Sequence, residues 1–535
     1  MKFSESINRS ILDFFRKRTV LLSVFLILVL NLLLKKILGV NENVVLAEAR
    51  HFGDPSWIPN DWFLNQHIGY RLLFNTIFGY TARFLPLHLL SISGRILIYF
   101  IFSIIVDKAA RTLKIHVLLI IPSMLLFILF QSLVAREWML GGLETKSFAY
   151  ACALGALIAL AHRRYKPMFL LTGLAASFHI LVGIYSAFSL GVAILTLKEQ
   201  RENFRQIIIS SPLALITAIP ALYAIFQYLG DSATVDSVRA AAIYVIKRNP
   251  HHVFPAAWTK PWTVRFVASC LFFITVLCFS RVQERRIFAS YGLGSAVLFC
   301  TGLVLYYTGN YNWLKLYWFR HPDVIIPFIG FFLTASLLSV PIIDLSPDRK
   351  AGPVKSLSSL LRKATIALGI ILSLTAIGKS LFTFRDQLSF IIQSNSPFYL
   401  DNLNPELREA LFWIKAKTPG NSSFLVSPAV DQFYIAAERG MFVSFKHSPQ
   451  TDSDNIEWYN RILLLNNGNE PVKNGFHMVT EIDDAFYRIS PDLIRSLAEK
   501  YSLDYLLTKY DFTMPFTKVY SNSIYALYKI NDGNP

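Results

Sequence analysis

Three carboxylates, Glu48, Asp54 and Asp61, lie just beyond the first apolar run of the chain, within Glu48-Ala49-Arg50, Asp54-Pro55-Ser56 and Pro59-Asn60-Asp61-Trp62. A carboxylate within hydrogen-bond reach of a hydroxyl can take its proton and turn it into a nucleophile. Asp54 is the best placed of the three in sequence, because it follows the apolar run by a short loop and Pro55 restricts the backbone there. Glu48 can lie on a helical extension facing the same groove. The competing reading makes Asp54 and Asp61 the caps of turns.

A second set of residues suits an anion. Lys247-Arg248-Asn249-Pro250-His251-His252 gathers cationic and imidazole groups that can clamp a phosphate leaving group and stabilise its developing charge. Arg320 ends an aromatic run of Trp313, Tyr317, Trp318 and Phe319, where a planar guanidinium can pair with a lipid diphosphate. Glu144 and Lys146 are spaced to pair with each other. His179, in Ser177-Phe178-His179-Ile180, is either an ionisable group at membrane depth or a hydrogen-bonded core histidine. Adjacent His251 and His252 hint at a metal, but no third ligand is spaced locally. Cys152, Cys270, Cys278 and Cys300 fall in apolar segments without a CxxC pattern. No metal ligand set and no cofactor is assigned, and a divalent metal is left open.

The elements that carry these groups follow from composition. Of 535 residues, 53% are hydrophobic and 16% charged, with a mean hydropathy of +0.43; soluble globular chains carry about 25% charged residues. Apolar stretches of bilayer length alternate with short charged clusters as far as Phe384, and ordinary soluble composition follows. The expectation is a helical multi-pass membrane domain over residues 1–384 and a soluble α/β domain over 385–535. The net charge of +17 comes from Lys and Arg in short loops, which is a topology signal and not a nucleic-acid surface. Basic clusters from Arg9 with Arg16–Arg18 to Arg349, Lys350, Lys355, Arg362 and Lys363 place about eleven crossings, with a tight turn near His179. They put the N-terminus in the cytoplasm and the C-terminal domain outside. Outer loops at 41–86, 135–146, 230–262 and 308–323 then hold nearly all the candidate groups. Ala47 and Ala49 lie too far beyond the apolar run for a signal-peptidase site, so the first helix is read as uncleaved.

In the soluble part the pattern predicts a helix from Pro405 capped by Asn404, strands at Phe424–Ser427 and Met441–Phe445, and a helix at Pro491–Lys500. A strand at Tyr505–Thr508 and a hairpin about Asn522-Ser523 complete a small, largely parallel sheet. Asp431, Glu438, Lys446 and His447 read as caps and surface charges, and the domain as an accessory that covers or recognises an acceptor.

In architecture and local patterns the chain resembles the GT-C superfamily of membrane glycosyltransferases. The resembling stretches are Glu48-Ala49-Arg50, Asp54-Pro55-Ser56, Asn60-Asp61-Trp62, Gly142-Leu143-Glu144-Thr145-Lys146, Ser177-Phe178-His179, Asn249-Pro250-His251-His252 and Phe319-Arg320-His321-Pro322. Phe412-Trp413-Ile414-Lys415, Glu438-Arg439-Gly440 and Glu457-Trp458-Tyr459 look like the tail of bacterial members. The resemblance implies transfer of a sugar from a polyprenyl-phosphate-linked donor to a glycan or other acceptor on the outer face of the bacterial plasma membrane. It implies membrane lipids as surroundings and no nucleic-acid partner. It implies Glu48, Asp54 or Asp61 as base, and Arg248, His251, His252 and Arg320 on the donor phosphate. The first loop lacks a paired Asp-x-Asp, which leaves metal dependence and the choice of base open. The rival reading is a transporter, flippase, polymerase or ligase of lipid-linked glycans.

Overall fold

A computed structural model describes residues 18–39, 41–66, 71–232, 236–258, 261–343, 353–394, 397–400 and 403–530. His67 and Lys260, counted among the outer-loop residues, lie outside this set, as do the clusters at Arg9–Lys17 and Arg349–Lys350.

The membrane domain is built from apolar helices. Among the described residues, five are long and apolar enough to cross a bilayer: Leu87–Thr112, Trp262–Phe279, Gln283–Tyr307, Arg320–Ile342 and Leu360–Gln393. Phe204–Thr217 and Ile219–Gly230 pass the same test together but bend by 65° at their junction. Shorter apolar helices run over Arg18–Leu32, Val117–Leu129, Thr145–Ala161 and Ile180–Thr196. Helices thus occupy the apolar stretches, with five spans of bilayer length, or six with the bent pair, among the described residues beside about eleven expected crossings. The last runs past Phe384 to Gln393, so the soluble fold proper begins beyond it.

Helix α1 (Tyr165–Phe178) and helix α2 (Ile180–Thr196) form the tight hairpin expected at His179. Glycine is what lets them close. A Cβ on Gly183 would lie 2.3 Å from the Ala176 nitrogen across the hairpin, while one on Gly173 would lie 2.0 Å from the Ala214 carbonyl oxygen of the helix Pro212–Thr217 that packs on α1. Small residues permit such backbone approach between membrane helices, where dispersion replaces the hydrophobic drive. The hairpin therefore holds His179 at its tip.

The first loop folds into two short helices, Asn41–Gly53 and Leu72–Ala82, packed against each other. Glu42 is its anchor. This carboxylate is 1% exposed and accepts from Arg95 Nε at 2.9 Å, Ser91 Oγ at 2.8 Å and the Leu38 amide at 2.9 Å. Arg95 also donates to the carbonyls of Leu32, Leu33, Lys35 and Lys36 at and just beyond the end of the first helix, where carbonyls lack intrahelical partners.

The C-terminal domain has a five-stranded sheet in the order β2-β1-β3-β5-β4, with β1 Ser423–Leu425, β2 Gly440–Met441, β3 Tyr505–Lys509, β4 Thr517–Ser521 and β5 Tyr525–Lys529. The first three strands are parallel and the last two antiparallel. Asn404 caps helix Pro405–Lys417 as expected, accepting from the amides of Glu406 (2.8 Å) and Leu407 (3.3 Å). Helices Asp452–Leu465 and Phe476–Phe486 were not anticipated. Trp458 in the first of them is fully buried and donates to the Ser444 carbonyl at 2.9 Å.

This domain is docked on the loops of the membrane domain. Asp61 accepts from the Met441 amide at 3.0 Å, Lys315 pairs with Asp452 at 2.8 Å, and the Gly475 amide donates to the Lys247 carbonyl at 2.7 Å. Asn43 donates to the Asp431 carbonyl at 3.1 Å.

Candidate functional site

Where loops and C-terminal domain meet, two cavities lie side by side. The first, about 110 Å³, is walled by Arg71, Lys146, Arg248, Arg320 and Lys446 and by a single carboxylate, Glu144. His179, His251, His252, Tyr244 and Tyr317 also line it. The second, about 390 Å³, has Glu48, His51, Asn75 and Asp454 on its walls. Arg71, Ser448 and Gln450 belong to both.

The cations are fixed by distinct means. Asp323, at the start of helix Arg320–Ile343, accepts from the Ala135 amide at 2.8 Å and the Glu137 amide at 2.9 Å, and so shapes the 132–137 loop. That loop presents Glu137, which takes the Lys146 ammonium at 2.6 Å and the Arg320 guanidinium. Burial would raise the Glu137 pKa, but Arg320 and Lys146 outweigh it and hold the carboxyl at about 2, so it stays ionised. Lys146 also reaches Glu144 at 3.3 Å, the pairing expected from their spacing. Arg320 lies over the Tyr317 ring at 4.6 Å.

Arg248 is 5% exposed, donates to the Lys446 carbonyl at 3.2 Å, and stacks over Phe445 at 4.6 Å. Its Nε is buried without a partner. Beside it, burial and then Arg248 lower the Lys446 pKa to about 8. Burial raises the Asp431 carboxyl above its usual range, opposed by Lys446 and Arg248. His251 falls to about 3, through burial first and then Arg248 and Arg320, and burial takes His252 well below its ordinary value. Both imidazoles are therefore neutral at neutral pH. The positive charge of this cavity rests on its arginines and lysines.

Arg248, His251, His252, Arg320, Glu144 and His179 thus share one cavity, although they are far apart in sequence. The three first-loop carboxylates go different ways. Glu48, on the wall of the larger cavity, pairs with Arg71; burial raises its pKa, with Arg71 opposing. Asp61 is 1% exposed, accepts from the amides of Leu64 and Met441, and lines neither cavity. Asp54 is half-buried and also lines neither. It accepts from the Ser56 hydroxyl at 2.5 Å and the Ser56 amide at 3.2 Å. The first of those bonds chiefly holds its pKa below the usual carboxylate range. Both aspartates are turn residues by geometry, as the competing reading had it.

Two cavity residues escape a reading of the sequence. Arg71 is a solitary cation before an apolar helix. Lys446, expected at the surface, is instead turned inward by the docking of the C-terminal domain, and its neighbour His447 is 1% exposed and within hydrogen-bond distance of the Ser444 hydroxyl, 3.0 Å away. Among the described residues no group of three or more His, Cys, Asp or Glu side chains is disposed to hold a metal ion. The His251 and His252 rings face each other at 4.1 Å, and His252 Nδ1 lies 2.7 Å from the Ala135 carbonyl. That contact fixes the orientation of the His252 ring, and no third His, Cys, Asp or Glu side chain among the described residues joins the pair.

The chain is similar in structure to two solved proteins. One is ArnT from Cupriavidus metallidurans bound to undecaprenyl phosphate, with a TM-score of 0.52 at 10% identity over 96% of this chain and 97% of that one. The other is the Archaeoglobus fulgidus oligosaccharyltransferase tethered with an acceptor peptide, with a TM-score of 0.50 at 13% identity over 92% and 69%. Residues 405–465 match a domain family of unknown function, DUF6798. No curated protein matches the sequence.

Proposed function

The chain is a multi-pass membrane protein with a GT-C-like fold, and on that premise we propose that it transfers a sugar from a polyprenyl-phosphate-linked donor to an acceptor hydroxyl. In this reading the transfer takes place on the outer face of the plasma membrane, where the C-terminal domain lies and the N-terminus does not. The observation that carries the reading is the smaller cavity, lined by five cationic side chains. Of these, Arg71, Lys146 and Arg320 are paired with carboxylates, while Arg248 and Lys446 stand in no described ion pair.

Such a cavity suits the phosphate of the donor in the ground state and, more so, as a leaving group. Charge grows on its oxygens as the bond to the sugar breaks, and fixed cations in a water-poor site stabilise that growth without reorganising. Arg248 and Arg320 supply guanidinium N–H groups, and Lys146 and Lys446 supply ammonium groups. Neutral His251 and His252 add hydrogen bonds without charge. Glu48 is the base. It takes the proton of the acceptor hydroxyl, whose oxygen bonds to the anomeric carbon while the bond from that carbon to the phosphate oxygen breaks. Polyprenyl phosphate leaves. Glu48 is supported in this role by its place on the adjoining cavity, with Arg71 shared between the two.

The test uses full-length protein in lipid nanodiscs supplied with polyprenyl-phosphate-linked sugars. Release of polyprenyl phosphate that depends on an added acceptor, and that is lost in Arg320→Ala, is the expected result. Movement of the intact donor between leaflets without release would replace enzyme by transporter.

A further inference from the structure

The larger cavity differs in chemistry from its neighbour, and the difference bears on the acceptor. Its single guanidinium, Arg71, is tied to Glu48, and a second carboxylate, Asp454, stands on the same wall. An anionic ligand would meet two carboxylates and no uncommitted cation there. The remaining polar wall holds four side-chain amides, Asn65, Gln66, Asn75 and Gln450, beside His51 and the hydroxyls of Ser448 and Thr451, with Phe63 as an apolar face. Amides offer donors and acceptors together, which matches hydroxyl groups that also do both.

One of these amides points to a ligand. Asn75 is 1% exposed, and its Oδ1 is buried with no hydrogen-bond partner. A buried acceptor left unpaired costs about 1–3 kcal/mol, so such an atom calls for an outside donor. Asn75 sits in helix Leu72–Ala82, where it follows Arg71 by about one turn. It is thereby held near the Glu48 carboxylate that the Arg71 guanidinium engages.

Resting on the proposed transfer reaction, we infer that this cavity takes an uncharged, hydroxyl-rich acceptor, a neutral saccharide, with Asn75 Oδ1 accepting from one of its hydroxyl groups. A volume of about 390 Å³ lies within the range of ligand pockets. The wall is shared between the first loop and the C-terminal segment Ser448–Asp454, so acceptor choice depends on both domains.

The experiment is saturation-transfer NMR on the full-length protein in nanodiscs, with undecaprenyl phosphate added to fill the cationic cavity. The probes are a panel of neutral disaccharides of differing linkage and epimer, with glucose 6-phosphate as the anionic counterpart. At least one neutral disaccharide should show transfer, and glucose 6-phosphate should show less. Asn75→Leu should weaken the binding about tenfold, while Asn75→Asp, which keeps the acceptor oxygen, should retain it. Thermal unfolding of both variants separates lost binding from lost fold. Preference for glucose 6-phosphate, silence across the whole neutral panel, or equal binding by a folded Asn75→Leu protein would overturn the inference. Binding of undecaprenyl phosphate alone, measured in the same samples, reports separately on the donor site.

Discussion

Arg248 of the membrane domain donates to the backbone carbonyl of Lys446 in the C-terminal domain at 3.2 Å, and both side chains face one cavity. Two like charges brought together by domain docking repel unless an anion lies between them. Their juxtaposition is what links the C-terminal domain to donor binding. Deleting that domain should therefore weaken donor binding as well as acceptor use.

Lys446 gives a pH signature. The cationic form binds an anion, and with the pKa lowered to about 8 the charge is lost as pH rises through that value. Affinity for undecaprenyl phosphate should therefore fall above about pH 8. Lys446→Arg should abolish the fall, since guanidinium stays charged. Lys446→Ala should weaken binding roughly 10- to 100-fold at neutral pH, the equivalent of one charge-assisted hydrogen bond. Isothermal titration across pH reads all three.

Glu48 and Asp54 separate in turnover. Glu48→Gln should slow transfer by roughly 10²–10⁴-fold, as loss of a general base does, whereas Asp54→Asn should stay near wild type. Only ionised Glu48 accepts a proton, and its pKa is raised by burial. The rate should therefore decline, as pH falls, at a higher pH than an ordinary glutamate would give. A pH–rate profile under donor saturation measures this.

Much of this arrangement is legible in the sequence. Hydropathy gives the helices and basic clusters give the loops, and Arg248, His251, His252, Arg320, Glu144 and His179 are picked out by residue type before any contact is known. What is not legible is long-range geometry. The sequence near Asp54 leaves open whether its carboxylate turns to Ser56 or to the groove, and nothing near Lys446 says that domain docking will turn it toward a cavity. The neutral state of His251 depends first on burial and then on Arg248 and Arg320, the second of them far away along the chain.

The hairpin at His179 should be sensitive to volume. Gly183→Val places atoms where the Ala176 backbone already stands, and overpacking of this kind costs about 1–3 kcal/mol. Lower thermal stability in detergent and reduced turnover should appear together, because His179 lines the cavity from the hairpin tip. Gly191→Ala, on the same helix with open space around it, is the control and should change neither.

The Glu42–Arg95 pair should behave as structure and not as chemistry. Both groups are almost fully buried, and removing one partner of a buried ion pair costs about 3–5 kcal/mol. Glu42→Ala should lower the unfolding temperature sharply. Any protein that still folds should bind donor with wild-type affinity, since neither residue lines the cationic cavity.

The claim that the cationic cavity holds a polyprenyl phosphate is tested most directly by equilibrium binding to the full-length protein. Undecaprenyl phosphate is titrated into nanodiscs carrying wild type, Arg248→Ala or Arg320→Ala, with phosphatidylglycerol as the competing anionic lipid. The account predicts saturable binding that phosphatidylglycerol does not displace and that each substitution weakens by at least tenfold. Binding that is unchanged in both variants, or that phosphatidylglycerol displaces mole for mole, would contradict it.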